Sequence, residues 1–309
     1  MKTQATKAMY SLLQKCRTHN MSIECQLDMF DKAILPILLY GAEIWGFEKL
    51  EILERVHLQF CKIILGLKQT TPNCIVYGEL GRFPISVFVK LRMVKFWCRL
   101  INGDESKISS ILYKLLFINF NNYGLESRWL TFIKNIFDNC GLTNVWSSQN
   151  YFSSEWIEKC VKLRLLDQFK QEWASEIFNS PKTLCYRIFK TDFCYEKYLS
   201  ILPPHLMYYI CKFRCSSHRL PIESGRWNNT PRNDRLCTLC DLQEIGDEFH
   251  YIFTCKNLQV ERKNLLPEYC HKYPNILKLI TVFNSTNVIV LENLAKFIKC
   301  VFKKVVPPG

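Results

Sequence analysis

With 309 residues, the chain is long enough to bury one large core or two smaller ones. Apolar residues at 48% and aromatics at 14%, with only 11 Gly and 12 Pro, exclude a disordered or low-complexity chain. Forty-one Lys and Arg against 28 Asp and Glu leave a net charge of +13, which favours nucleic acid or another anionic surface as partner.

The first hundred residues read as successive amphipathic helices. Ala5 to His19 is one. Ser22 is placed to cap a second, with Leu27, Phe30, Ile34 and Leu38 at helical spacing and a kink expected at Pro36. Leu50 to Leu67 is a third, ending near Gly66. Thr71-Pro72-Asn73 restarts the chain and Gly81-Arg82-Phe83-Pro84 breaks it again. Ile85 to Leu100 is a strong helix, with Val87, Leu91, Val94 and Cys98 as its apolar stripe. Arg92, Lys95 and Arg99 form a basic stripe on it, a row of charges able to follow a phosphate backbone or simply to face solvent.

From Gly103 to Asn150 the periodicity weakens, and Asn119, Asn121, Asn122 and Gly124 suggest a loop. A long helix is expected from Glu155 to about Phe178, burying Leu166, Phe169, Trp173 and Ile177. Pro203-Pro204 opens another, from His205 to about Cys215. Pro267 closes the following unit, and Ile276 to Val306 is a mixed apolar and Lys-containing end. No alternating strand pattern of any length appears, so the expected fold class is all-α.

Sixteen cysteines are present, and Cys16, Cys61, Cys98, Cys160 and Cys300 fall within helix-like apolar patterns, as free buried thiols do. Met1-Lys2-Thr3-Gln4-Ala5 opens without an apolar leader, and Ala33 to Phe47 is too short and too interrupted to span a membrane. The expectation is a reducing cytoplasmic or nuclear compartment with no membrane contact.

One constellation implies specific chemistry. Cys237-x2-Cys240 is followed by nine residues, His250, four residues and Cys255. A Cys-x-x-Cys alone arises about once by chance in such a chain, but the added His-x4-Cys lowers coincidence to about 0.01–0.02. Three thiolates and one imidazole are the ligand set of a closed tetrahedral site for one structural Zn, with no position left for a catalytic water. Asp241, Glu244, Asp247 and Glu248 make the enclosed loop acidic and a poor phosphate contact. The basic flanks are the better nucleic-acid-binding candidates: Arg226, Arg232 and Arg235 before it, and Lys256, Arg262 and Lys263 after it. Trp227 beside Arg226 is placed to stack on an unpaired base. Cys211, Cys215 and His218 form a second, incomplete set read as structural. No Gly-rich phosphate loop, no Gly-x-Ser-x-Gly elbow and no adjacent pair of Asp is present, so no catalytic residue is assigned.

The segment from Leu35 through Tyr40-Gly41-Ala42-Glu43-Ile44-Trp45-Gly46 resembles the region after the palm in reverse transcriptases of non-LTR, LINE-type retrotransposons. So do Val56 to Gly66 and Tyr77-Gly78-Glu79-Leu80-Gly81-Arg82-Phe83-Pro84. Phe213-Arg214-Cys215-Ser216-Ser217-His218, Ile222-Glu223-Ser224-Gly225 and Pro231 to Cys237 resemble the approach to that family's C-terminal zinc knuckle. The resemblance implies a helical thumb-like domain at 1–122, a helical connector at 123–200, a zinc-knuckle module at 201–270 and a basic segment at 271–309. It also implies RNA or DNA, and a reverse-transcriptase palm domain, as partners. The family's fingers, palm and endonuclease would lie upstream of Met1, so the expected role is non-catalytic. The alternatives are a zinc-stabilised protein-interaction module docking on a separate palm, and a retrotransposon remnant without retained activity.

Overall fold

The structure, a computed structural model, describes residues 2–150 and 153–305. Val306, where the last sequence segment was expected to end, lies outside the described residues. Helices follow in chain order: α1 Lys2–Thr18, α2 Ile23–Met29, α3 Leu35–Leu38, α4 Ala42–Trp45, α5 Leu50–Ile64, α6 Asn73–Leu80, α7 Ile85–Ile101, α8 Ile108–Asn122 and α9 Arg128–Asn139. They continue with α10 Thr143–Ser148, α11 Ser154–Asn179, α12 Tyr186–Phe189, α13 Tyr198–Ile201, α14 Pro204–Arg214, α15 Pro221–Trp227, α16 Gln259–Leu265, α17 Ile276–Phe283 and α18 Val288–Val305. Among the described residues there is no strand, only two isolated antiparallel bridges, Leu80 with Tyr195 and Leu236 with Ile245. The all-α class is therefore met. No described helix is long and apolar enough to cross a membrane.

Two compact units are interleaved along the chain. One comprises Met1–Leu12, Met29–Leu58 and Phe83–Glu172; the other comprises Leu13–Asp28, Gln59–Arg82 and Trp173–Gly309.

In the first unit, the kink expected at Pro36 takes the form of a π-helical turn, Phe30–Ile34, just before α3. Leu35 N–H bonds to Phe30 O, five residues back. Pro36 has no N–H to continue the α-helical ladder, and widening one turn accommodates the break. At the end of α3, Gly41 takes φ +65°, and Trp45 Nε1 donates to Tyr40 O at 3.1 Å. Gly46 lets α4 close on α7, since a Cβ there would lie 2.6 Å from Val89 Cγ1. The N-terminus of α7 follows Pro84, which offers no capping side chain; Glu54 Oε2 on α5 accepts from Ile85 N at 2.6 Å instead. Trp97, 1% exposed, centres the core against Phe137 at 4.7 Å and donates from Nε1 to Tyr113 Oη at 2.8 Å.

Three helices, α8 to α10, occupy the stretch where sequence periodicity fades. The loop expected at Asn119 to Gly124 is displaced: α8 runs through Asn122, and Gly124 turns the chain at φ +65°. The helix buries only Ser110 and Tyr113 and leaves Ile108, Leu112 and Leu115 exposed, so its apolar residues trace no single core stripe. In α11 the buried residues are Ile157, Val161, Leu165, Trp173 and Ile177. The expected Leu166 and Phe169 are half-buried, which places the true stripe one residue earlier in the first half of the helix.

The second unit is organised around Arg214, at the end of α14 and 0% exposed. Its Nε donates to Glu79 Oε1 at 3.0 Å, its Nη2 lies 2.9 Å from Glu196 Oε2, and its Nη1 donates to Asn284 Oδ1 at 3.1 Å. Tyr198 Oη donates to the same Glu79 oxygen at 2.6 Å, and Lys190 pairs with Glu196. Burial opposes a charge on Arg214, but Glu79 and Glu196 outweigh it and hold the guanidinium above its ordinary value. Two glycines admit this packing. A Cβ on Gly78 would meet Tyr186 Oη at 2.7 Å, and Gly81 sits at φ +58° with Tyr195 N 2.5 Å from the Cβ position. The C-terminal segment, expected to be basic with mixed apolar residues, supplies core through its last helix. Leu291, Leu294, Phe297, Ile298 and Val301 of α18 are buried, and the helix packs on α14 and α16.

Removing one partner of a buried, hydrogen-bonded ion pair leaves the other charge uncompensated. Arg214→Ala is expected to destabilise the protein by about 3–5 kcal/mol, measured by urea unfolding. Gly81→Ala should cost more than about 2 kcal/mol, from left-handed backbone strain plus the backbone clash. An unfolding midpoint unchanged by either substitution would contradict the packing described.

Candidate metal centre

The segment 228–257 has little regular structure. Its frame is a short hairpin: Cys237 N donates to Glu244 O at 2.8 Å, Gly246 N donates to Arg235 O at 2.8 Å, and Leu236 bridges Ile245. Cys237 and Cys240 lie at the start of the tight loop that this hairpin closes. Gly246 is close-packed, with a Cβ there lying 3.1 Å from Cys237 Cα. Asp247 Oδ1 then accepts from His250 N at 2.9 Å and starts a π-helical turn, His250–Thr254, that presents His250 and hands the chain to Cys255.

These elements bring the four sequence-predicted ligands together. One ligand atom from each of Cys237, Cys240, His250 and Cys255 lies within 4.8 Å of the other three, a cluster able to hold a metal ion. Cys237 Sγ is 3.9 Å from Cys255 Sγ, and Cys240 Sγ is 3.4 Å from His250 Nε2. The imidazole is oriented from behind, as Glu244 Oε2 and Thr254 Oγ1 lie 2.8 and 2.9 Å from Nδ1. A carboxylate accepting from Nδ1–H fixes the tautomer whose Nε2 lone pair faces the cluster.

Burial works against ionising the Cys237 thiol, but the Leu239 amide, the Tyr251 hydroxyl, the Cys240 amide and the nearby His250 together outweigh it and bring the group down to about 7. Burial and the neighbouring Cys237 push Cys255 up to about 12. Three sulfurs this close resist ionising together unless a cation sits among them.

The flanking cations divide into two groups. Arg262, named as a nucleic-acid contact, is 7% exposed; its Nε donates to Ile252 O at 2.7 Å and its Nη2 to Cys255 O at 2.9 Å. It is a strut of the centre. Arg235 also points inward, donating to Thr230 O and Ile222 O at 2.9 Å each. Both are corrected from surface contacts to scaffold, because each guanidinium donates to two backbone carbonyls of the unit. Arg226 is half-buried and donates to Pro181 O at 2.8 Å. Arg232 is exposed, with Asp247 3.8 Å away. Trp227, Lys256 and Lys263 are exposed.

In the other unit, Arg92, Lys95 and Arg99 are exposed along α7. Arg92 donates to Leu39 O at 3.1 Å, Lys95 lies 3.5 Å from Glu158, and Arg99 rests over the Phe96 ring.

The acidic loop also reads differently in three dimensions. Glu244 supports His250, Asp247 caps the ligand-bearing turn, and Glu248 is buried with Oε1 3.0 Å from His218 Nε2. Only Asp241 has no such internal role. The pairing with Glu248 also accounts for His218: among the described residues, the Cys3His set is the one cluster that could hold a metal. Glu244 and Arg262 were missed as supporting residues because their roles depend on tertiary closure, which sequence spacing does not encode.

No protein-family model, curated protein or solved structure matches this chain.

One metal ion per chain is expected from elemental analysis, lost in Cys240→Ser. Glu244→Ala should weaken metal affinity about 10- to 100-fold in a chelator competition by freeing the imidazole. Equal affinity in the variant would remove Glu244 from the supporting role.

Proposed function

We propose that the chain is the thumb-like, connector and knuckle portion of a LINE-type reverse transcriptase, and that it binds RNA or DNA around one structural zinc without catalysing a reaction itself. The observation that carries the reading is the Cys3His cluster. Zinc about 2.3 Å from each of two tetrahedral sulfurs sets them about 3.8 Å apart, close to the 3.9 Å between Cys237 and Cys255. Four protein ligands close the shell, so the ion's work is to fold a segment with little core of its own. The net charge of +13 supports an anionic partner. The binding surface is assigned to Trp227, Arg232, Lys256 and Lys263 in the unit that carries the zinc, while Arg235 and Arg262 hold the frame.

A second reading is favoured by α8. Ile108, Leu112 and Leu115 are 74%, 60% and 53% exposed, beside an apolar groove of about 410 Å³ lined by Phe47, Phe96, Leu116 and Trp129. Apolar surface this concentrated marks a face built to be covered. In this reading the chain is a docking module for a reverse-transcriptase palm domain carried elsewhere.

Filter binding over a salt series separates the two. A nucleic-acid binder loses affinity steeply with salt, and replacing Arg232, Lys256 and Lys263 together by Ala lowers the log–log slope by roughly 2–3. A docking module is indifferent to that triple substitution, and a flat salt dependence of the wild type would overturn the nucleic-acid reading.

A further inference from the structure

Within the unit that carries the zinc cluster lies a cleft of about 260 Å³ whose walls combine cations with one exposed aromatic ring. Lys68, Thr70, Lys182, Ser216, Arg226 and Trp227 line it. Trp227 is 56% exposed although it ends α15, and Lys68 Nζ sits 4.2 Å from the ring centroid. Lys68 itself is half-buried, anchored by a 2.8 Å bond to His218 O. Burial and repulsion from Arg219 and Lys212 depress its amino group, while Glu223 opposes them. Glu223 is the one carboxylate in the wall, and Arg226 Nε lies 3.3 Å from its Oε1. Lys182 is exposed at the rim. The cleft is thus short of negative charge and ends in an indole that is more than half exposed, with Lys68 over its ring.

An adjoining cleft of about 80 Å³ shares Ser216, Glu223 and Arg226 and is lined by Arg232 and Asp247 of the knuckle flank. The two clefts therefore share a wall between Lys182 and the segment that carries the Cys3His cluster.

We infer that this cleft receives one unpaired nucleotide of a single-stranded nucleic acid, its base stacked on the exposed part of the Trp227 indole and its phosphate held by Lys182. A simple anion pocket has no use for an exposed indole at its mouth. A duplex cannot use one, because its base faces are already stacked. The inference rests on the nucleic-acid reading above and narrows it from a basic surface to a site for an unpaired base.

The test uses the full zinc-loaded chain and a short fluorescent oligonucleotide, single-stranded or annealed to its complement, followed by anisotropy. Trp227→Ala is expected to weaken single-strand binding about tenfold and leave duplex binding unchanged, while Trp227→Phe keeps most of the affinity. Lys182→Ala lowers the single-strand salt slope by about one. Because Trp227 is more than half exposed, its removal empties no core, and unchanged zinc content verifies the fold. Wild-type binding to both strands with Trp227→Ala lowering neither, or both equally, overturns the cleft and leaves the broader reading standing. Competition by inorganic phosphate as effective as competition by a mononucleotide also overturns it, since that describes an anion pocket. Failure of the wild type to bind either oligonucleotide at low salt overturns both proposals.

Discussion

The buried guanidinium of Arg214 is the constraint around which the second unit closes. It joins the end of α14 to Glu79 on α6, to Glu196 in the segment before α13, and to Asn284 just past α17. A charge at 0% exposure needs compensation, and here Glu79 and Asn284 accept hydrogen bonds from Nε and Nη1 while Glu196 pairs with the guanidinium through Nη2. Phe189 and Tyr198 cover the guanidinium with their rings at 5.3 and 5.4 Å. Any register shift of α6 or α14 would strand a charge in the interior, so the correct packing is separated from near alternatives by several kcal/mol on the order of the pair's own value.

This network gives physical content to two stretches of the sequence, Tyr77 to Pro84 and Phe213 to His218. In Tyr77 to Pro84, Glu79 is the buried partner, Gly78 is the point of closest approach to Tyr186, and Gly81 is the left-handed turn against Tyr195. In Phe213 to His218, Arg214 is the other half of the pair and His218 binds the buried Glu248. His218 and Glu248 then connect the core of the unit to the loop that carries the Cys3His cluster.

The candidate metal centre depends on the same economy of buried polar groups. Its backbone is mostly irregular apart from one short hairpin and one π-helical turn, and Arg235 and Arg262 supply partners to its carbonyls. Its acids are directed inward for the same reason: Glu244 to an imidazole, Asp247 to an amide. A net charge of +13 therefore overstates the cations free to meet a partner. What reaches solvent around the centre is a smaller set beside one exposed indole.

Local chemistry was legible from the residues alone. The ligand set, the breaks at Gly66 and Gly81, the restarts at Pro72 and Pro203, and the cap at Ser22, whose Oγ accepts from Cys25 N at 3.3 Å, each depend on residues a few positions apart. Helix α8 was not legible, because a helix with little buried surface leaves no periodic trace. The register of α11, the interleaving of the two units, the core role of α18 and the split between inward and outward arginines were decided by tertiary packing. An arginine before a turn reads the same whether it faces phosphate or a carbonyl. Only the folded chain brings Ile252 O and Cys255 O to Arg262, or Glu79 to Arg214 across 135 residues, and so determines which charges the protein keeps for itself.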